Sequence, residues 1–151
     1  MSGLDYSGEP MPAFFDTDDT GITFTLVFDW RRPPLTMNDR PHWRVRAKQT
    51  RLMRQAASWQ ARAARLPADL PHVTVALTWV VKDRRRRDGG ENLAPTYKAL
   101  LDGLVDYGLV ADDDPTHVTR GPSVIDYRPD ETPHIELHIT LNGRLDQPAA
   151  A

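Results

Sequence analysis

The chain contains no cysteine, and aromatic residues make up only 8% of its 151 residues. The absence of cysteine excludes disulfide bonds, cysteine-ligated zinc or iron–sulfur sites and a thiol nucleophile. No apolar run approaches the roughly 20 residues that a membrane-spanning helix needs. The N-terminal residues are acidic and contain proline, and they lack the basic start and apolar stretch of a secretory signal. These absences predict a soluble, cytoplasmic protein.

Length and composition are those of one packed domain. With 40% apolar and 26% charged residues, a chain of 151 residues can bury a core and falls in the usual size range of a single domain. Residues 1–20 and 143–151 show no apolar periodicity. We therefore expect mobile tails over 1–20 and 143–151, on either side of a domain over 21–142.

Charge is unevenly distributed, although the formal net charge is only -2. Of the 19 Lys and Arg residues, 15 lie between Arg31 and Arg87, where only three acids occur. That segment carries about +12 and the remainder of the chain about -14. Such a separation favours a basic surface that binds a polyanion. The alternative is a set of arginines that only keeps a helix in solution.

Alternating apolar residues predict strands over 22–30, 73–81 and 134–141. A further strand is predicted within 118–127, broken near Gly121 and the proline after it. With a helix before and a helix after the second strand, the order predicts an α/β (α+β) fold with a mixed four-stranded sheet and two main helices.

The first predicted helix runs from Trp43 to about Leu66, and the second from Asn92, a candidate N-cap, to Gly108. The apolar stripe of the first helix is assigned to Val45, Leu52, Ala56, Trp59, Ala63 and Leu66. Trp59 is therefore expected in the core, whereas Trp43 is a candidate for stacking on bases. The other faces carry seven basic residues and no acid: Arg44, Arg46, Lys48, Arg51, Arg54, Arg62 and Arg65.

Acidic residues stand on both sides of the second helix. Asp88 and Glu91 lie in a glycine-rich loop before it, and Asp112, Asp113 and Asp114 lie in a turn after it. If the fold brings these loops together, the crowded carboxylates require a cation. Oxygen ligands without Cys or His favour Mg²⁺ or Mn²⁺ over zinc. The alternative is an ordinary solvated turn.

Basic residues next to these carboxylates suit a phosphodiester substrate. Arg84, Arg85, Arg86 and Arg87 could hold phosphates while a metal ion polarises one of them and lowers the pKa of an attacking water. Lys98, about two turns into the helix, could stabilise charge on a phosphoryl or leaving oxygen. The alternative for Lys98 is a surface ion pair with Asp102.

Together these motifs resemble the RusA family of Holliday junction resolvases. The similarity covers roughly residues 24–141 and depends on the combination of motifs, since no single piece is specific. The matching pieces are the arginine run Asp83–Asp88, Asn92-Leu93, Lys98–Leu104, Gly108-Leu109, Asp112-Asp113 and the Pro33–Asp39 loop, which contains Asn38.

The resemblance implies a Mg²⁺-dependent homodimer that places symmetric nicks across four-way DNA junctions in recombination and repair. It also implies 5′-phosphate and 3′-hydroxyl ends, and a cytoplasmic location, in the host if the protein is phage-encoded. Catalytic residues by motif position are Asp88, Glu91, Lys98 and Asp113, and metal ligands are Asp88, Glu91, Asp113 and Asp112. DNA contacts are expected from Asn38, Arg44, Arg46, Lys48, Arg51, Arg84, Arg85, Arg86 and Arg87.

The sequence departs from the family pattern at one place. Between Asp88 and Asn92 it has Gly-Gly-Glu, one residue more than the family's Asp-x-Asp-Asn, with Glu91 in place of the second aspartate. Either the longer side chain of Glu91 still reaches the metal, or Asp88 and Asp113 act without it. The departure keeps a second function open, that of a non-catalytic nucleic-acid-binding protein with a resolvase-like fold.

Two histidines on the last strand are weaker candidates for a metal site. His134 and His138 are four residues apart, too far in an extended chain to share one zinc ion easily. We expect them to be polar-face residues of an alternating strand.

Overall fold

A computed structural model of the chain describes residues 14–16 and 22–142. The strands are β1 (Phe14–Asp16), β2 (Ile22–Phe28), β3 (Val73–Val81), β4 (Val118–Tyr127) and β5 (His134–Leu141). Four of them confirm the predicted mixed four-stranded sheet.

The short strand β1 adds an edge to that sheet within the segment predicted to be a tail. Phe14 of β1 pairs with Phe24 of β2 in an antiparallel ladder. The other residues of the predicted tails, 1–13, 17–20 and 143–151, lie outside the described residues.

The strand order in the sheet is β1-β2-β5-β3-β4. Neighbouring strands are antiparallel except for β3 and β4, which are parallel. The register between β3 and β4 shifts after Val75, at the predicted break at Gly121 and Pro122. Because β4 is an edge strand, a proline that cannot donate to the ladder is tolerated there.

Two helices pack on this sheet, α1 (Trp43–Ala63) and α2 (Ala94–Tyr107), and a 3₁₀ turn over Gly90–Leu93 precedes α2. Asn92 does not cap α2, because the N-cap position falls at Leu93 and no side chain bonds there. The C-cap is Gly108, as predicted. Within the described residues, neither helix is both long and apolar enough to cross a membrane.

Most of the predicted apolar stripe of α1 is wrong: Val45, Leu52, Trp59 and Ala63 are exposed, whereas Leu66 is buried just beyond the helix and Ala56 packs against the core. The buried residues of α1 are Met53, Ala57 and Ala61, whereas Trp59 is 70% exposed. The reason is a close crossing with α2 at Gly103, where a Cβ atom would overlap the Arg54 carbonyl oxygen and lie 2.7 Å from the Ala57 Cβ. Small residues permit this approach, so the buried face of α1 follows alanines rather than the larger side chains.

The core joins both helices to one face of the sheet. Leu26, Leu77 and Leu137 belong to it, so their neighbours along each strand point to the opposite face. There the His138 ring bonds the hydroxyls of Thr25 at 3.1 Å and Thr78 at 3.0 Å. His138 is therefore a polar-face residue, as expected.

Candidate functional site

The loop after β2 and the loop after β3 meet at Asp88. The side-chain amide of Asn38 donates to the Asp88 carboxylate, although the two residues are 50 positions apart in the chain. Next to this contact, the Met37 N–H donates to the Asn92 carbonyl oxygen at 3.0 Å. The loop that contains Asn38 and the loop that contains Asp88 are separate motifs in the sequence, and these contacts pack them together as one structural unit.

Glu91 lies at the outer edge of the sheet because the 3₁₀ turn packs against β4. A Cβ atom at Gly90 would overlap the Ser123 carbonyl oxygen, so only glycine allows the turn to approach this closely. Glu91 is exposed and lines a cavity of about 190 Å³ together with Tyr97 and Arg120.

Lys98 lies on α2 between two carboxylates. Its Nζ contacts Asp102 Oδ1 at 2.8 Å and also pairs with Asp113 from the turn before β4. Hydrogen bonds to Asp102 and Asp113 raise the pKa of Lys98. The hydrogen bond from Lys98 lowers the pKa of Asp113. Lys98 is therefore a cation and Asp113 an anion at neutral pH, and the expected surface pair with Asp102 coexists with the contact that links the two loops.

Arg120 on β4 lies near both acidic loops. One of its guanidinium nitrogens is 3.7 Å from Asp113 Oδ2, and its side chain lines the cavity that also contains Glu91. The guanidinium lies 5.8 Å from the ring centroid of Tyr97, whose pKa burial raises to about 12. Sequence reasoning missed Arg120, since its only signal is a single basic residue in a polar edge strand.

The predicted metal ligands are not gathered at one point. Among the described residues, Asp88, Glu91, Asp112 and Asp113 do not form a group of three ligand atoms within 4.8 Å of one another. Asp112 accepts the backbone N–H of Asp113 at 2.7 Å and so closes its own turn. The donor set, carboxylate oxygens only, nevertheless fits a hard divalent cation.

Within the described part of the chain, one group does meet that distance: Glu131, His134 and Glu136 place ligand atoms within 4.8 Å of one another and could hold a metal ion. The sequence interpretation did not find it, because its members flank the turn between β4 and β5. Arg128 already binds both oxygens of Glu136, at 2.8 and 3.1 Å. Arg128 therefore already supplies a cation to this group, on the oxygens that an ion would use.

The four arginines after β3 have different environments. Arg85 and Arg87 both pair with Asp83, at 2.9 and 2.8 Å. Arg84 stacks over the Tyr127 ring at 4.1 Å from its centroid. Arg86 is exposed and makes no ion pair within the described residues. Arg85 and Arg87 therefore stabilise the loop through Asp83, whereas Arg84 and Arg86 form an exposed basic surface.

The basic residues of α1 form a stripe on its exposed side. Arg54 pairs with Asp106 of α2 at 2.8 Å. This ion pair places Arg54 next to α2, the helix that carries Lys98. Of the α1 basic residues, only Arg54 has an ion pair in the described part of the chain. The basic stripe is defined as Arg44, Lys48, Arg51 and Arg62, which recur at helical spacing, and Arg46 is exposed nearby.

Comparison of the chain with protein-family models found no match, and comparison with curated proteins found none. The similarity to the RusA family therefore stays a prediction based on the motif residues.

Proposed function

We propose that this protein is a Mg²⁺-dependent endonuclease that resolves four-way DNA junctions by paired symmetric nicks, in recombination and repair in the cytoplasm. The observation that supports the proposal is the position of predicted catalytic residues against the edge strand β4. Asp88 and Glu91 line cavities next to β4, and Lys98 pairs with Asp113 beside Arg120 of the same strand. The basic stripe of α1 lies on the adjoining helix.

Mg²⁺, for which Mn²⁺ could substitute, would be held by Asp88 and Glu91 from one acidic loop and by Asp112 and Asp113 from the other, and these two loops would have to approach one another when the ion binds. When bound, it supplies polarisation of a phosphodiester and a lower pKa of the attacking water. Asn38 fixes the orientation of the Asp88 carboxylate. Lys98 remains protonated, so its role is to stabilise charge on the leaving oxygen rather than to remove a proton.

DNA recognition in this proposal depends on phosphates rather than bases. The basic stripe of α1, together with Arg46, Arg84 and Arg86, offers cations that no carboxylate of the described residues neutralises. Such contacts position a duplex without identifying its sequence, which suits an enzyme that selects a branched shape.

A homodimer completes the proposal because a four-way junction has approximate two-fold symmetry. Val45, Leu52 and Trp59 recur every seven residues along an exposed line of α1 next to the basic stripe. If a second copy of the chain packs on this line, the basic stripes of both copies flank the contact.

The test uses purified protein with a synthetic four-way junction, in Mg²⁺ or in EDTA. We expect paired nicks at symmetric positions in Mg²⁺ and an intact, retarded junction in EDTA. A single nick position in only one strand, or cleavage that ignores EDTA, contradicts the proposal.

The same experiment distinguishes the endonuclease from the second candidate function, that of a non-catalytic nucleic-acid-binding protein. The extra residue before Asn92 favours this candidate, because it changes how Glu91 is placed relative to Asp88. Junctions that are bound but never cut, with Mg²⁺ or Mn²⁺ present, would support it.

A further inference from the structure

A cavity of about 500 Å³ lies beside Asp88, between the loop after β2 and the loop after β3. It is separate from the smaller cavity that contains Glu91, and none of the predicted catalytic residues other than Asp88 lines it. Five basic residues stand around it: Arg31, Arg32, Lys82, Arg85 and Arg87.

The positive charge around this cavity is only partly neutralised. Asp83 is held by Arg85 and Arg87, and hydrogen bonds from Arg85 and then Arg87 keep the pKa of Asp83 well below its usual range. Arg31 and Lys82 are exposed and make no ion pair within the described residues. The cavity therefore favours an anionic occupant.

The floor of the cavity is apolar and held in place. The indole N–H of Trp79 donates to the Arg31 carbonyl oxygen at 3.0 Å, and the Arg87 guanidinium lies 5.1 Å from the Trp79 ring centroid. Pro33, Leu93 and Ile125 also line the cavity. An inorganic phosphate would leave this floor uncovered, whereas a nucleotide has both an anion and a flat apolar base.

We propose that this cavity receives one unstacked nucleotide of the DNA strand that passes Asp88. Its base enters beside Trp79 and Ile125 without stacking on the indole, whose ring face Arg87 covers, and its phosphate faces Arg31 and Lys82. A nucleotide at a branch point is suited to this, because stacking is already interrupted there and extrusion costs less than in a duplex. The inference rests on the proposed function for the presence of branched DNA at Asp88.

The test places 2-aminopurine, which fluoresces when unstacked, at successive positions next to the branch point. Fluorescence is measured with saturating wild-type protein in EDTA, so that the strands stay intact. We expect a several-fold rise at one position. Lys82→Ala and Arg31→Ala should each remove most of that rise, with saturation verified by gel retardation and folding by circular dichroism.

Arg40→Ala is the matched control, because Arg40 is an exposed arginine of the loop after β2 that does not line the cavity. It should retain the rise at saturation. No rise at any position, or equal losses in Lys82→Ala and Arg40→Ala, would overturn the inference. Cleavage in Mg²⁺ reports on the proposed function separately: cutting without a rise defeats only the cavity assignment, and a rise without cutting defeats only the nuclease.

Discussion

Lys98 contacts one carboxylate from its own helix and one from the turn that follows that helix. A lysine with Asp102 alone would be an exposed pair that stabilises the helix by about 0.3–0.5 kcal/mol. The second contact, to Asp113, places the cation where the acidic turn approaches α2. A phosphate that entered there would meet both Lys98 and Arg120. Because Asp113 pairs with both of them, its negative charge reduces the positive charge that such a phosphate would meet.

Asp113→Asn should reduce junction cleavage by at least about 100-fold, because it removes a proposed metal ligand. Junction affinity should stay the same or rise, since a negative charge near phosphate is lost. Single-turnover cleavage and gel retardation in EDTA measure the two effects. Asp114→Asn is the matched control, because Asp114 pairs with His117 in the same turn and contacts neither Lys98 nor Arg120. Wild-type cleavage by Asp113→Asn would show that Asp113 is not a ligand.

His134 gives the fold a pH-dependent contribution to stability. Burial lowers its pKa, but hydrogen bonds to Glu136 and to the Thr132 carbonyl outweigh burial and raise it above 6.5. Because the folded-state pKa is raised, the stabilisation is complete below the unfolded value and is lost as the pH rises through the folded value.

His134→Gln should therefore reduce the free energy of unfolding more at about pH 6 than at about pH 8. Urea unfolding of both proteins at the two pH values measures the difference. An equal loss at both pH values would mean that folding does not raise the pKa of His134.

At the scale of elements, α1 carries two adjacent stripes that the sequence does not separate. Val45, Leu52 and Trp59 are exposed, whereas Met53, Ala57 and Ala61 are buried, because Gly103 brings α2 against Ala57. In the proposed function, this exposed side of α1 meets DNA and a second copy of the chain. The basic stripe suits phosphates, and the exposed line of Val45, Leu52 and Trp59 suits a protein surface.

Replacing Arg44, Lys48 and Arg51 together with glutamine should flatten the salt dependence of junction binding. Each lost phosphate contact lowers the slope by about 0.9, so the triple change removes up to about three phosphate equivalents. Binding constants measured over a series of salt concentrations give the slope. Leu52→Ala is the control, since it alters the same exposed side of α1 without changing charge. An unchanged slope in the triple variant would place the DNA elsewhere.

The elements themselves follow closely from the sequence. The bounds of β3 and β5 match the predicted segments, because apolar residues alternate there, and β4 occupies the 118–127 segment in which a strand with a break was predicted. The buried face of α1 could not be predicted in this way, since it depends on how near α2 comes. Likewise, the contact between Asn38 and Asp88 depends on a docking of two loops that no local pattern encodes.

At the scale of the whole molecule, the exposed apolar line of Val45, Leu52 and Trp59 on α1 is the surface that we expect a partner to cover. If that partner is a second copy, Trp59→Asp should shift sedimentation velocity from a dimer to a monomer. Val124→Asp, at a similarly apolar exposed position on β4, should leave the dimer intact. A monomeric wild-type protein, or dissociation by Val124→Asp alone, would contradict a dimer through α1.

The sequence by itself determined the strands, the two helices, the separation of charge and the residues able to do chemistry, because each depends on periodicity or side-chain type within a short stretch. Only the tertiary structure decided that Arg120 pairs with Asp113 and lines a cavity with Glu91, that Arg85 and Arg87 pair with Asp83, and that Trp59 is exposed. Those outcomes depend on where separate elements meet in space, and close packing at a few glycines sets those meetings.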